Sequence, residues 1–372
     1  MIRVLHVVHG MDCGGTENII MNLYRNIDRT KVQFDFLVHT HKKCFFDDEI
    51  VSLGGNIYHV PYYKIININS YINSLKELFA SHKEWHIIHG HLGSCACIYL
   101  RIAKKYGLYS IAHSHNLKKN RINIKELLYR LHAYFTRGIA DYYLGCSKQA
   151  GIDRFGKKIT NSSKFSVMNN SIVAEKYVYN ELTRQKIRQE LGVKDEFVIG
   201  NVARFNEQKN HIFLIKTFYE LQKVYPKSRL ILVGDGELKE EIISIAKKYS
   251  IYDKLILTGI RKDVDSLLMA FDCFVFPSLY EGLGIVLIEA QASGLKCLAS
   301  KYRIPEEAKI SDLIEFIPLE YGESLWANKL IEISKGYTRR NMCTNVQNAG
   351  YDIKSVTNYM QEFYLRESRK QF

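Results

Sequence analysis

The spacing of apolar residues divides the chain into short runs that predict strands and longer amphipathic stretches that predict helices. In the first half, the apolar runs are Arg3–Val8, Gln33–Val38, Asn56–Val60, His86–His91, Tyr109–His113, Tyr142–Cys146 and Lys164–Met168. In the second half, they are Phe197–Val202, Leu230–Val233, Leu255–Leu257, Cys273–Phe276, Cys297–Ala299 and Ile314–Ile317. Each half of the chain therefore carries its own series of predicted strands.

Amphipathic stretches separate these strands. The predicted helices include Thr16–Asn26, Tyr71–Ala80, Ile122–Ile139, Leu214–Val224, Leu238–Tyr249, Val264–Ala270, Ile285–Ala292 and Leu325–Ser334. A strand, a helix and a second strand in succession are typical of a parallel strand pair. The two series therefore predict an α/β fold with two doubly wound parallel sheets, each covered by helices on both faces.

A polar stretch at residues 169–196 separates the two series and predicts the junction between two domains. We expect an N-terminal domain over residues 1–172 and a C-terminal domain over residues 173–352, each long enough to bury its own core. The remaining residues, 353–372, begin with a helical pattern that no strand follows. This last helix is expected to pack back across the junction.

The composition is that of a folded protein without a membrane-spanning segment. Apolar residues make up 47% of the chain and aromatic residues 12%, which excludes a disordered or fibrous protein. No run of about 18 apolar residues occurs, and the first ten residues lack the apolar core of a signal peptide. The 8 cysteines are scattered without a CxxC pair, so we expect free thiols in a reducing compartment.

The positive charge is concentrated in the first half of the chain. The formal net charge is +13, and residues 1–172 contribute +11 of it, from 23 Lys and Arg against 12 Asp and Glu. The densest part comprises Arg101, Lys104, Lys105, Lys118, Lys119, Arg121, Lys125 and Arg130. Such a field attracts nucleic acid, an anionic membrane surface or phosphorylated substrates. An ordinary solvated basic face is the alternative.

Two glutamates and two glycines follow one strand of the second half. The segment Ser278–Glu289 comes directly after Cys273–Phe276 and opens a helix near Gly284. Ligands of parallel sheets bind beyond the carboxyl ends of the strands, where helix N-termini offer backbone amides to anions. Carboxylates beside such an anion site indicate hydrogen bonds to hydroxyl groups, as on a sugar ring and a ribose. The alternative is that Glu281 caps the helix and Glu289 is solvated.

Two further loops follow strands and carry polar residues. Arg204 and Lys209 stand five residues apart after Phe197–Val202. Their guanidinium and ammonium groups are suited to neutralising a diphosphate, although an isolated pair of this kind is usually surface charge. Near the N-terminus, Gly14-Gly15-Thr16-Glu17 follows the first strand and begins a helix, with Thr16 as the expected N-cap.

Three other patterns have a plainer explanation than the chemistry they suggest. His89 and His91 point the same way on one strand, as in a metal site, but no carboxylate or cysteine with ligand spacing accompanies them. Asp263-Val264-Asp265 spells a metal-chelating DxD, yet its place at the start of a helix favours capping. Gly234-Asp235-Gly236 begins like a dinucleotide-binding loop but lacks the third glycine. We therefore predict no metal site.

The spacing of Glu281 and Glu289 resembles the Glu-x7-Glu motif of retaining glycosyltransferases of family 4. That family has the GT-B architecture, in which two Rossmann-like domains face each other across a cleft. The similarity extends upstream to Gly259-Ile260-Arg261 and downstream to Gly294, so it is far more specific than a single glycine loop. It is strongest to bacterial enzymes that build capsular or exopolysaccharide repeat units.

The resemblance implies a role for each matched residue. The counterparts of donor-binding residues are Glu281, Glu289, Arg204, Lys209, Ile260, Leu283, Gly284 and Ile285. Glu281 would bind hydroxyls of the donor sugar and Glu289 the ribose, while the basic pair and the helix amides would hold the diphosphate. Gly14 and Gly15 match a loop near the transferred sugar and the acceptor. The family also has an active-site histidine, for which the alignment favours His115 over His113.

The implied reaction moves a sugar from a nucleoside-diphosphate sugar, with a UDP-sugar favoured, to a hydroxyl of a lipid-linked saccharide. It retains the anomeric configuration and needs no metal or other cofactor. The implied location is cytoplasmic, at the inner face of the cell membrane, with the basic first domain on the anionic surface. A GT-B sugar-nucleotide epimerase is one alternative. A non-catalytic nucleic-acid- or anion-binding protein is another, although no RNA- or DNA-binding motif supports nucleic acid as a partner.

Overall fold

The computed structural model describes residues 1–12, 14–115 and 132–369, which fold as two compact units. The first unit comprises Met1–Ser171 together with Ile353–Phe372, and the second comprises Ile172–Asp352. Each unit is built on one parallel sheet with helices packed against it. The predicted α/β class, with two Rossmann-like parallel sheets, is confirmed.

The sheet of the first unit has the strand order β3-β2-β1-β4-β5-β6-β7, and every described pair is parallel. Its strands are β1 (Ile2–Val8), β2 (Val32–Val38), β3 (Ile57–His59), β4 (Trp85–Gly90), β5 (Tyr109–Ser114), β6 (Tyr142–Gly145) and β7 (Phe165–Val167). The strand order reverses between β1 and β4, which places the ends of these two central strands side by side. The register pairs His6 of β1 with His89 of β4.

Helices cover both faces of this sheet. They are α1 (Gly15–Asn26), α2 (Asp47–Ser52), α3 (Ile68–Ser81), α4 (Ala96–Lys105), α5 (Lys148–Phe155) and α6 (Lys157–Thr160). Alternate residues of β1 enter different apolar clusters, because successive side chains of a strand point to opposite faces. Val4 packs in the cluster that contains residues of α1, and Leu5 packs in the one that contains residues of α3 and α4.

The sheet of the second unit has the order β10-β9-β8-β11-β12-β13 and is also parallel. Its strands are β8 (Phe197–Val202), β9 (Ser228–Val233), β10 (Leu255–Gly259), β11 (Cys273–Phe276), β12 (Lys296–Ser300) and β13 (Ile314–Ile317). Its helices are α7 (Glu181–Glu190), α8 (His211–Val224), α9 (Lys239–Lys248), α10 (Val264–Ala270), α11 (Ile285–Ala292), α12 (Gly322–Ser334) and α13 (Cys343–Asn348). Here the order reverses between β8 and β11, so the loops after these two strands are neighbours.

The last helix, α14 (Ile353–Arg369), packs on the first unit. The ring of Tyr364 is fully buried there, and its hydroxyl lies 2.7 Å from Nδ1 of His89. Phe363 packs against the ring of Tyr142 at 4.7 Å between centroids. The first unit is therefore formed by two separate stretches of the sequence, and the residues of the second unit lie between them in the chain.

Several predictions about local structure are corrected or fall outside the described residues. Helix α1 begins at Gly15 with Gly14 at the N-cap position and no side-chain cap, so the prediction of Thr16 as N-cap is wrong. Most of the predicted helix at 122–139 lies outside the described residues. The cysteines that the structure describes are free thiols. Within the same residues, no helix combines the length and the apolarity needed to cross a membrane.

A buried carboxylate ties three strands of the first unit together. Asp35 of β2 is fully buried and accepts hydrogen bonds from Arg3 (2.5 and 2.7 Å), from Nε1 of Trp85 (2.8 Å) and from the backbone of Asn56 (2.9 Å). Burial works to raise the pKa of Asp35, but these hydrogen bonds, with those from Arg3 foremost, hold the pKa below its usual range. The ionised carboxylate is therefore part of the native packing.

We expect Asp35→Ala to lower the free energy of unfolding of the first unit by about 3 kcal/mol, because it leaves the Arg3 guanidinium and the indole N–H without their acceptor. Urea denaturation followed by the fluorescence of Trp85 measures the change. A Trp326→Phe background removes the signal of the second unit, since Trp326 is the other tryptophan of the chain.

Asp48→Ala is the matched control, because it removes a carboxylate whose pair with Lys43 is exposed, and we expect a change below about 1 kcal/mol. The difference in unfolding free energy between the Asp35→Ala and Asp48→Ala variants should shrink as the pH falls below about 4. The Asp48→Ala variant keeps Asp35, and protonation of that carboxylate weakens the same interactions that Asp35→Ala removes. Equal unfolding free energies of the Asp35 and Asp48 variants at neutral pH would contradict this role for Asp35.

Candidate functional site

The loop after β8 carries the predicted basic pair of the second unit. Arg204 follows the strand directly, and a 3₁₀ turn, Glu207–Lys209, places Lys209. The side chain of Asn206 caps this turn by accepting the backbone N–H of Lys209 at 3.2 Å. Arg204 is exposed and makes one long contact, 3.3 Å from Nη2 to Oε2 of Glu237. Such a surface contact is weak, so the guanidinium can exchange it for a ligand at little cost.

Lys209 and Glu281 form an ion pair that the sequence did not predict. Nζ of Lys209 lies 2.6 Å from Oε1 of Glu281, and the two side chains are 19% and 8% exposed. The same ammonium lies 4.8 Å from the centre of the Phe276 ring. The N–H of Glu281 is held by the carbonyl of Arg303 at 3.0 Å. Two residues that are 72 positions apart thus meet at the carboxyl ends of β8 and β11.

Gly284 stands where the chain turns into α11. Its φ of +78° lies in the left-handed region, which favours glycine. A Cβ at this position would also lie 3.3 Å from the Phe276 ring, the ring that faces Lys209. The first N–H groups of a helix have no partner within the helix, so those at Leu283–Ile285 and just beyond form a site that attracts anions.

Glu289 lies one turn into α11 and is held by a residue that sequence reasoning missed. The hydroxyl of Tyr177 donates to Oε1 of Glu289 at 2.8 Å. Burial raises the pKa of Glu289, and Asp265 adds to this, while the bond from Tyr177 opposes it. Tyr177 belongs to the polar junction segment, whose pattern contained no signal for a site. Its bond occupies one carboxylate oxygen and leaves the other for a ligand.

Two glycines support the loop of Arg204. A Cβ at Gly234 would lie 2.0 Å from the carbonyl oxygen of Ala203, and one at Gly236 would lie 2.4 Å from that of Phe205. The N–H of Phe205 in turn donates to the carbonyl of Asp235 at 2.9 Å. The pattern that resembled the start of a dinucleotide-binding loop is therefore explained by close backbone packing beside Arg204.

The segment after β10 carries Ile260, whose side chain is 75% exposed. The structure shows no contact between it and the Lys209–Glu281 pair. Further along, Asp263 stands at the N-cap position of α10, as predicted, but its side chain makes no capping hydrogen bond. Its carboxylate instead forms a two-bond pair with Arg261, at 2.7 and 2.8 Å. That pairing satisfies the first carboxylate of the DxD pattern.

In the first unit, Thr16 and Glu17 in the first turn of α1 border a cavity of about 270 Å³, whose lining includes neither Gly14 nor Gly15. Gly14 and Gly15 lead into α1, and a Cβ at Gly14 would lie 2.3 Å from a carboxylate oxygen of Glu17. Glu17 lines the cavity together with Arg154 and His115. Burial raises the pKa of Glu17, and nearby Asp12 adds to the effect.

His115 and His113 occupy different surroundings. His113 lies within β5 and is fully buried, whereas His115 lies one residue past the strand, is partly exposed and lines the cavity. Burial lowers the pKa of His115 to about 3, and the positive charge of Arg154 adds to this. Both imidazoles are therefore neutral at physiological pH. Of the two, His115 is the one that a ligand in the cavity can reach.

Each unit thus gathers part of the predicted set at the carboxyl ends of its central strands. In the second unit, Lys209, Glu281 and Gly284 share contacts with one another or with Phe276. In the first unit, Thr16, Glu17 and His115 border one cavity. This arrangement of parallel sheets, basic groups and carboxylates is the one expected of an enzyme that transfers a sugar.

The comparisons with known proteins show the family. Residues 183–349 match the family described as glycosyl transferases group 1. The chain is 32% identical over 376 residues to EpsF of Bacillus subtilis (strain 168), which carries the name of a glycosyltransferase; this covers 99% of the chain and 97% of EpsF. The protein therefore belongs to the group 1 glycosyltransferase family and is a glycosyltransferase.

Two further similarities bear on this assignment. Over 211 residues the chain is 26% identical to the UDP-Gal:alpha-D-GlcNAc-diphosphoundecaprenol alpha-1,3-galactosyltransferase of Escherichia coli, which covers 54% of each protein. The crystal structure of Anabaena Alr3699/HepE in complex with UDP and glucose matches with a TM-score of 0.79 at 16% identity, covering 98% of this chain and 99% of that one. At that identity the structural match shows the shared fold, which is the GT-B fold expected from the resemblance.

Proposed function

We propose that this protein is a retaining glycosyltransferase acting in the synthesis of capsular polysaccharide, exopolysaccharide or a related cell-surface glycan. It moves a sugar from a nucleoside-diphosphate sugar, with a UDP-sugar favoured, to a hydroxyl of a lipid-linked saccharide. The observation that carries the donor half is the Lys209–Glu281 pair beside the N-terminus of α11. The acceptor half is supported by the E. coli relative, whose name specifies a diphosphoundecaprenol-linked sugar.

The donor's diphosphate is neutralised by side chains and helix amides. Arg204 is exposed and weakly paired, so its planar guanidinium is available to bind two phosphate oxygens. The ammonium of Lys209 has three N–H donors, of which the bond to Glu281 uses one. The amides at Leu283–Ile285 and the dipole of α11 complete a positive surface for the leaving group.

The two glutamates bind hydroxyl groups of the donor. Glu281 is held through one oxygen by Lys209 and has a second oxygen for the sugar hydroxyls. Glu289 keeps one oxygen on Tyr177 and uses the other for the ribose. Because each carboxylate is already fixed by a partner within the second unit, little side-chain entropy is lost when the donor binds.

In the transfer step, the bond from the anomeric carbon to the diphosphate oxygen breaks and a bond to the acceptor oxygen forms on the same face. The proton of the acceptor hydroxyl passes to the departing diphosphate oxygen. His115, neutral in its buried setting, contacts the donor sugar and stabilises positive charge that develops at the anomeric carbon. Gly14 and Gly15 leave room for the sugar and the acceptor, since neither carries a side chain.

Binding to an anionic membrane surface brings the enzyme to its lipid-linked acceptor. Lys118, Lys119, Arg121, Lys125 and Arg130 of the dense basic stretch lie outside the described residues. Within the described part, Arg101 and Lys105 of α4 are exposed and border a cavity of about 720 Å³ together with Phe135. Phe135 and its neighbour Tyr134 are 49% and 63% exposed. Basic groups beside exposed aromatic rings suit a membrane interface.

Replacing Glu289 with Ala should weaken nucleotide-sugar binding by about 1.5–3 kcal/mol, the value of a hydrogen bond to a charged acceptor. Arg204→Ala and Lys209→Ala should lower turnover more than thermal stability, because they remove charge that balances the leaving group. Calorimetry with UDP-sugars and thermal unfolding measure the two effects.

Lys223→Ala serves as the control for these donor-site variants, because Lys223 is an exposed lysine of α8 that pairs with Glu220 and contacts Tyr219 on its own helix. Its donor affinity and turnover should equal those of the wild type. Unchanged affinity and turnover in all three donor-site variants would remove the site assignment.

Incubation with donor alone tests the epimerase alternative, which would yield an epimer without acceptor.

Activity should survive treatment with EDTA, since the groups proposed to neutralise the diphosphate are Arg204, Lys209 and backbone amides. Turnover measured before and after removal of divalent ions tests this. Loss of activity with EDTA and its recovery on addition of Mn²⁺ would return Asp263 and Asp265 as candidate ligands.

The protein should sediment with anionic vesicles but not with neutral ones, and salt should release it because the attraction is screened. Each Lys or Arg near the surface contributes about 1 kcal/mol. Charge reversal at Arg101 and Lys105, or at Lys118, Lys119 and Arg121, should weaken sedimentation while leaving nucleotide binding intact.

Reversal at Lys247 and Lys248, two exposed lysines of α9 in the second unit, is the matched control for total charge and should leave sedimentation unchanged. Equal sedimentation with both kinds of vesicle, or none with either, would show that the basic face serves solubility alone.

A further inference from the structure

Five histidines of the first unit lie side by side on three neighbouring strands. His6 belongs to β1, His89 and His91 to β4 and the residue after it, and His113 and His115 to β5 and the residue after it. Neighbouring rings lie 4.0–5.3 Å apart between centroids. Apolar side chains would pack this layer at lower cost, because every ring nitrogen taken from water needs a partner. The cluster therefore calls for a functional explanation.

The rings are joined in two hydrogen-bonded chains. Nδ1 of His6 lies 2.9 Å from Nε2 of His91, and Nδ1 of His91 lies 2.7 Å from Nε2 of His115. In the second chain, Nε2 of His89 lies 3.2 Å from Nδ1 of His113. Among the described residues, Nε2 of His113 and Nδ1 of His115 are buried without a hydrogen-bond partner. Nε2 of His6 is likewise without one, so three rings of the cluster have a nitrogen that protein groups in the described residues do not satisfy.

We propose that His91, His113 and His115 form a binding site for a zinc ion. One nitrogen of each residue lies within 4.8 Å of the others, and three histidines with a fourth position open are a common zinc ligand set. With zinc–nitrogen distances of about 2.0–2.1 Å, ligand nitrogens in a tetrahedral site lie about 3.3 Å apart. If His91 binds through Nδ1 and His115 through Nε2, the present 2.7 Å between these two atoms has to open by only about 0.6 Å, and Nδ1 of His115 then lies outside the ligand set.

The other two histidines hold the ligands in place. If His113 binds zinc through Nε2, its Nδ1–H donates to His89, whose own Nδ1 lies 2.7 Å from the hydroxyl of Tyr364. If His91 binds through Nδ1, its Nε2–H donates to His6. Such outer partners set the tautomer and the orientation of metal-binding histidines. A cluster of five thus divides into three ligands and two supporting residues.

A second trio, His6, His89 and His91, also has nitrogens within reach of one another. His6 and His89 are fully buried, however, and neither lines the cavity. The cavity is lined by His91 and His115, which gives the first trio an entry path and room for a water molecule or carboxylate as fourth ligand. Glu17 on the same wall offsets the positive charge of Arg154.

Occupation of this site has a consequence that rests on the proposed function. A zinc ion on His115 would withdraw that imidazole from the donor sugar, so zinc should inhibit sugar transfer reversibly. This remains compatible with activity in EDTA, because the reaction itself would use no metal.

The test uses the full, untagged chain after removal of metal. Addition of Co²⁺ should produce the visible absorption bands of a four-coordinate cobalt ion at one equivalent, and Zn²⁺ should displace them. Isothermal titration with Zn²⁺ gives the affinity. His113→Gln should weaken binding more than tenfold, and His89→Gln, which removes a supporting residue, by about 10–100-fold.

His41→Gln is the control, because His41 is an exposed histidine of the same unit, and its binding should match the wild type. Absence of cobalt bands in the folded wild type would overturn the proposal, as would equal affinity of the His113 variant and the control. Tight binding without inhibition would leave the zinc site standing and remove the proposed role of His115.

Discussion

A parallel strand delivers the residues that follow it to one edge of the sheet, and both candidate sites of this glycosyltransferase depend on that constraint. In the second unit, β8 and β11 are adjacent although β9 and β10 come between them in the chain. Their following loops bring Lys209 within 2.6 Å of Glu281. In the first unit, adjacent β1, β4 and β5 likewise place Glu17, His91 and His115 around one cavity. Helices that start at the same edge add backbone amides, so the backbone itself contributes hydrogen-bond donors there.

The same constraint explains how much could be predicted from the sequence. Strand positions follow from local apolar runs, and β8, β11 and β13 begin and end at the predicted residues. Residue patterns also indicated Glu281 and Lys209 separately, since each follows a strand. Their mutual contact could not be predicted, because it depends on the strand order. Tyr177 could not be predicted either, because a single tyrosine in a polar segment has no periodicity that relates it to Glu289.

The polar positions that were misjudged share a physical reason. Thr16 and Asp263 were expected to cap helices, because short polar side chains at helix starts often do so. Asp263 instead has a stronger partner in Arg261, since a two-bond ion pair outweighs a single bond to a backbone N–H. At the first helix, Gly14 rather than Thr16 stands at the N-cap position, and no side chain caps the helix. In both cases the outcome depends on residues around the helix start that the local pattern does not contain.

The electrostatics of the two units separate into a long-range and a local part. Residues 1–172 hold a net charge of +11, whereas the remaining 200 residues hold only +2. Screening limits the reach of exposed charge to about 8–10 Å at physiological salt. The field of the first unit therefore acts on large anionic surfaces that come close to it, while a small anion in the second unit responds to the groups that touch it. Lys209 can contact such an anion although it is paired with Glu281. Solvent screens its largely buried charge little, and two of its three N–H donors are not used by the bond to Glu281. Under the proposed function, affinity for a nucleotide and attraction to an anionic surface would thus be set by different residues, so each could change without altering the other.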